Sequence, residues 1–263
     1  MSRDSRDQQS GHVSKLEDLS TNEVEQIAHR GRVILLLPVG STEQHGPHLP
    51  LATDTILAET YADRFATAYR QDFDWFVLPS IAYGYCPEHS GFSGTVGVAG
   101  TDLLQTVVAV CQSASASCAA TGVVIVNGHG GNRPILEIAC RTLADQNDVR
   151  TLVVHPSALA AVTGQPGIPE VHGGRSETSV MLATRPDLVY LDRWGKDDQL
   201  DIDAEFIRKF VTNRGIDAPW LTHDPRVGRS GVIGDPTGAD ADIGRSILTA
   251  AVNSFRAVVD WFS

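Results

Sequence analysis

The run Val33-Ile34-Leu35-Leu36-Leu37-Pro38 constrains the fold most, because it is apolar without a polar alternate. A strand with one wet face alternates in polarity, whereas a strand covered on both faces reads as a continuous apolar run. Comparable short runs, β-branched or aromatic, recur at 75–78, 123–126 and 151–154. Helical patterns lie between them. One starts at Thr53 or Asp54 and carries Ile56, Leu57, Tyr61, Phe65 and Ala66 on one face; a second runs from Thr101, as N-cap, to about Ala120. A third opens at Pro134, where a missing amide costs nothing, with Ile135, Ile138, Ala139 and Leu143 as its core stripe. Strands alternating with helices predict an α/β fold with a mostly parallel sheet covered on both sides. Residues 1–14 are polar and aperiodic and are expected to be a disordered tail, with 15–263 as a single domain.

Where the first run ends, a loop begins that holds Glu43, His45 and Asp54 within twelve positions. Loops at the carboxyl ends of strands are where open α/β sheets place their sites. Taken singly, these residues read as a capping carboxylate, a loop histidine and a helix-start aspartate. Together they read as half of a metal site, with Asp54 placed to bridge two ions through its two oxygens. His129, in Asn127-Gly128-His129-Gly130-Gly131-Asn132, follows the run at 123–126, and its glycines let backbone approach a ligand closely. His172 and Glu177 are too far apart to share a helix face, so they are expected to span a loop-to-helix transition. Glu177 also reads as a simple N-terminal helix charge, with Arg175 as its ion-pair partner. His48, His89 and His223 are read as structural, while Glu88, His89 and Phe92 in a Gly-rich loop form a possible substrate wall. Oxygen and imidazole donors suit zinc, manganese or ferrous iron.

A formal charge of −11 argues against a sequence-independent nucleic-acid binder and against an anionic membrane surface. The four cysteines form no CxxC pair, the first ten residues lack the charged-then-apolar order of a secretion signal, and no apolar stretch is long enough to span a membrane. A cytoplasmic protein acting on a small molecule or peptide is expected. No Gly-x-Ser-x-Gly elbow, P-loop or dinucleotide fingerprint competes with the metal reading.

Four ordered motifs then resemble one family. Glu43-Gln44-His45-Gly46-Pro47-His48-Leu49-Pro50 with Asp54, Asn127-Gly128-His129-Gly130-Gly131-Asn132, the segment from His172 through Glu177-Thr178-Ser179, and Gly231-Val232-Ile233-Gly234-Asp235-Pro236 are similar in order and spacing to the creatininase (creatinine amidohydrolase) family. The resemblance implies a three-layer α/β/α domain with two divalent metal ions per chain (Zn, Mn or Fe) that hydrolyses an amide C–N bond, commonly as a homo-hexamer. It implies that Glu43, Asp54 and His129 hold one ion and that His45 with the bridging Asp54 holds the other. It makes His172 the catalytic histidine and Glu177 a carboxylate near the centre. Creatininases resemble His-Tyr-Glu where this chain has His129-Gly130-Gly131, so Glu177 is expected to supply the missing ligand and a linear amide or short peptide to replace creatinine. Two branches share the His-Gly-Gly-Asn form: one is similar to a precursor-peptide peptidase, the other to formamide hydrolases of a pyrimidine nucleotide. A metal-binding protein without turnover is the non-enzymatic alternative.

Overall fold

A computed structural model describes residues 13–146, 150–160, 169–195, 198, 202–212, 215–227 and 230–263. Five strands, β1 (Val13–Lys15), β2 (Val33–Val39), β3 (Asp74–Val77), β4 (Gly122–Asn127) and β5 (Arg150–Val154), form one sheet in the order β1-β3-β2-β4-β5. Every pairing is parallel. Most of the expected tail lies outside the described residues. Val13 and Ser14, assigned to that tail, instead form the edge strand β1 against Trp75 and Phe76.

Alternation along each central strand explains why the sheet is apolar throughout. Ile34 and Leu36 of β2, with Val124 and Val126 of β4, enter one core with Leu57, Tyr61 and Phe65 of α2 (Thr53–Ala68). This core also takes Val180 and Met181 of α6 (Arg175–Thr184) and Leu248 and Ala251 of α8 (Ala241–Ser254). The intervening residues Val33, Leu35, Leu37, Val123 and Ile125 enter a second core on the other face. There they meet Ile27 of α1 (Thr21–Ala28), Leu103 and Val107 of α3 (Gly100–Ser117), and Leu136, Ala139 and Leu143 of α4 (Arg133–Gln146). Each such side chain taken from water contributes roughly 1.5–3 kcal/mol, so both faces are held by the same hydrophobic term. The expected three-layer α/β/α fold is the one observed.

Three local expectations are corrected. Ile138 is 49% exposed and Leu136 takes its place in the core, because the buried stripe of α4 is centred between Leu136, Ala139 and Leu143. The N-cap of α3 is Ala99 and not Thr101, and the helix ends at Ser117. Arg175 donates to the Gly238 carbonyl and not to Glu177. Among the described residues the remaining α-helices are short, α5 (Pro156–Leu159), α7 (Ala204–Phe206) and α9 (Arg256–Phe262). Among the described residues no helix is long and apolar enough to cross a membrane.

Candidate metal centre

β2 and β4 are neighbours, yet the helices that follow them, α2 and α4, pack on opposite faces of the sheet. Such a divergence opens a crevice at the carboxyl ends of the two strands. Glu43 and His45 lie in the loop after β2, Asp54 in the first turn of α2, and His129 just past β4. Gly128 lets these segments meet, since a Cβ there would lie 2.1 Å from the Asp54 carbonyl oxygen. His172 reaches the same crevice from a segment bridged to Ile233, and Glu177 sits in the first turn of α6.

The crevice gathers carboxylates and imidazoles. Asp54 Oδ1 lies 3.1 Å from His45 Nε2 and Asp54 Oδ2 lies 3.1 Å from His129 Nδ1. Glu43 Oε1 lies 3.0 Å from His129 Nδ1, 3.0 Å from His89 Nε2 and 3.7 Å from His172 Nδ1. In three of these rings the remaining nitrogen donates to a backbone carbonyl: His45 to Glu43 (3.1 Å), His129 to Tyr85 (3.1 Å) and His172 to Gln44 (2.6 Å). Tying one ring nitrogen in this way fixes the orientation of the other, as it does in metal-ligating histidines.

Burial sets the electrostatics. Desolvation opposes charge on every group here, and the contacts decide which groups overcome it. Burial pushes the Glu43 carboxyl up, but the imidazoles of His129 and His89 together hold it well below the usual range. Burial lowers His45 and the Asp54 carboxylate raises it, for a net value of about 9. His129 is raised well above 6.5 against burial by Glu43 and Asp54. His172 goes the other way, lowered well below 6.5 by burial and by the nearby His45 and His89. Burial raises Glu177 to about 7 against the pull of His45.

Both oxygens of Glu43 and Oδ2 of Asp54 are buried without an aligned hydrogen-bond donor. Buried carboxylate oxygens left in that state are costly, and a divalent cation satisfies them with the oxygen and nitrogen donors it prefers. The residues therefore fit a metal. Ligand atoms of His45, Asp54 and Glu177 lie within 4.8 Å of one another, as do those of Glu43, His89 and His129, and of Glu43, His45 and His172. Glu177 is free for such a role because Glu170 caps α6, accepting from the amides of Arg175 (3.2 Å) and Ser176 (3.1 Å). Glu177 itself accepts from the Gly173 amide at 2.7 Å.

His89, read from the sequence as structural, belongs to this cluster at 2% exposure. His48 does not, being buried against Thr178, and His223 contacts the Ser90 carbonyl. A Cβ on Gly131 would lie 2.4 Å from Glu88 Oε1, so Glu88 occupies the space a side chain there would need. A cavity of about 240 Å³ opens beside the cluster, lined by His172, Glu177, Asn127, Leu57, Tyr61 and Val180 among others.

Fold and cluster together define an α/β domain with a buried carboxylate–imidazole centre competent to hold metal. Residues 17–259 match the sequence profile of the Creatininase family, described as creatinine amidohydrolase, and the chain belongs to that family. It is 37% identical over 235 residues to the mycofactocin precursor peptide peptidase of Mycobacterium tuberculosis, covering 86% of this chain and 85% of that one. It is 33% identical over 196 residues to the creatinine amidohydrolase of Pseudomonas putida, covering 67% and 74% respectively. The solved structure described as "Creatininase Mn" superposes with a TM-score of 0.76 at 27% identity, over 96% of this chain and 99% of that chain.

Proposed function

We propose that this protein is a metal-dependent hydrolase of an amide or peptide C–N bond, built on a dinuclear centre. The observation that carries this reading is Asp54, whose two oxygens face different histidines, His45 and His129, at 3.1 Å each. Glu43, Asp54 and His129 would hold one ion, and His45, Asp54 and Glu177 the other. Zinc, manganese and ferrous iron all suit this donor set. When bound, the ions supply an activated water at neutral pH and polarisation of the substrate carbonyl.

His172 moves the proton. Its Nε2–H is committed to the Gln44 carbonyl and burial keeps the ring neutral, so Nδ1 faces the site as a base. It takes a proton from the attacking water and then gives it to the departing nitrogen, which leaves poorly as an anion. In this reading the proton-donor role expected of His172 from the sequence gains a first step, in which His172 acts as a base before it acts as an acid. Asn127 and Gly128 hold the β4 end of the cavity, and Leu57, Tyr61 and Val180 give it an apolar wall that excludes water.

Similarity to the peptidase and the open space at Gly130, where a Cβ would meet nothing within 4 Å, favour a linear peptide over creatinine. A cytoplasmic homo-oligomer is part of the same reading, by family resemblance. Assaying the metal-replete protein against short peptides, creatinine and a formylated aminopyrimidine nucleotide tests the substrate. Peptide cleavage is expected, and efficient turnover of creatinine alone would overturn the ranking.

A further inference from the structure

Gln44 is 5% exposed and its amide orientation is dictated by backbone groups. Its Oε1 accepts from the Gly46 amide at 3.0 Å, and its Nε2 donates to the Gly231 carbonyl at 2.9 Å. Turning the amide over would set N–H against N–H and carbonyl against carbonyl. The second Nε2–H therefore points at His89 Nδ1, 3.0 Å away, and that nitrogen must accept it. The ring proton of His89 is then on Nε2, 3.0 Å from Glu43 Oε1. Metal ligation needs a ring nitrogen with a free lone pair. His89 Nε2 stands in a metal-competent group with Glu43 and His129, yet its proton closes it as a ligand. Through its backbone carbonyl the same Gln44 accepts the Nε2–H of His172 at 2.6 Å, which leaves Nδ1 of that ring open. The two rings lie against each other with centroids 4.2 Å apart.

We propose that Gln44 is a positioning residue that fixes the same Nε2–H tautomer in two neighbouring histidines, with opposite consequences for the site. His89 is held as a proton-bearing neighbour of Glu43, outside the metal's coordination, and His172 is held with Nδ1 open to the site. The inference deepens the metal-hydrolase reading and rests on it. A glutamate at this position would draw the His89 proton to Nδ1, free the Nε2 lone pair, and make His89 a ligand.

Histidine-labelled (15N) protein tests this, first metal-free and then loaded with 113Cd. Metal-free, the long-range proton–nitrogen correlations of His89 are expected to place its proton on Nε2. Loaded, cadmium coupling is expected at His45 and His129 and absent at His89. Gln44→Glu should move the His89 proton to Nδ1 and bring in cadmium coupling. His89→Gln, which keeps a side-chain N–H donor, should hold cadmium affinity near wild type, while His89→Ala should weaken it by roughly 10–100-fold, the usual range for groups that orient ligands. A wild-type His89 protonated on Nδ1, or coupled to cadmium, would overturn the proposal. If no histidine couples to cadmium, the metal-centre reading fails, and the metal-free tautomer still decides the role of Gln44.

Discussion

Asp54 Oδ2 lies 3.1 Å from His129 Nδ1, although the two residues come from opposite helix layers' approaches to the sheet and stand 75 positions apart. The contact exists because β2 and β4 are hydrogen-bonded neighbours and Gly128 lets the β4 loop touch the start of α2. With Oδ1 turned to His45, Asp54 faces a different histidine through each of its two oxygens.

Asp54→Ala is expected to remove metal from both positions. The wild type should carry about two divalent ions per chain, as dinuclear hydrolases do. Elemental analysis of protein purified without a histidine tag reads this directly. Two ions retained by the mutant would end the bridging assignment.

His172→Ala should keep its metal and lose about 10²- to 10⁴-fold in turnover, the usual worth of general acid–base catalysis. Metal content and kcat measured on one preparation separate the roles. An emptied site would make His172 a ligand.

The glycines beside His129 should differ sharply. Gly128→Ala places a Cβ 2.1 Å from the Asp54 carbonyl, whereas a Cβ at Gly130 meets nothing within 4 Å. The first should destabilise by about 1–3 kcal/mol or more, as overpacking does, and lose metal; the second should stay close to wild type. Denaturant midpoints with metal content compare the two.

Metal-free protein should lose thermal stability as pH rises from 6.5 to 9. His45 is raised to about 9 from 6.5, so its folded form holds a proton that the unfolded chain has released. That stabilisation is full below 6.5 and is lost as pH climbs through 9, and His129, also raised, acts in the same direction. Saturating metal should flatten the trend, because ligation requires the deprotonated rings. Thermal midpoints across this range, with and without zinc, show whether the slope is there; a flat metal-free profile would count against it.

The sheet was legible in the sequence because its central strands are covered on both faces and cannot alternate. β1 was not, since Val13-Ser14-Lys15 is short and only half-buried in a polar context. The convergence of Glu43, His45, Asp54 and His129 on one crevice was legible because strand-end loops meet at the carboxyl edge of such sheets. His89 was missed because its contact with Glu43 depends on how the loop after β3 folds back over the crevice. Gln44 was missed for a stronger reason: its orientation is set by Gly231, 187 positions away. No local pattern carries that information. The loop-to-helix transition expected between His172 and Glu177 is where α6 begins, and Glu177 stands in its first turn, as the N-terminal charge reading also has it, while Glu170 accepts from the first helix amides.

Hydrolysis of a short peptide by chelator-stripped protein, followed as manganese is added back, shows whether the carboxylate–imidazole centre works through bound metal. No cleavage is expected without metal, with a rise that levels off near about two equivalents per chain. Undiminished cleavage by the metal-free protein would contradict the metal-dependent reading.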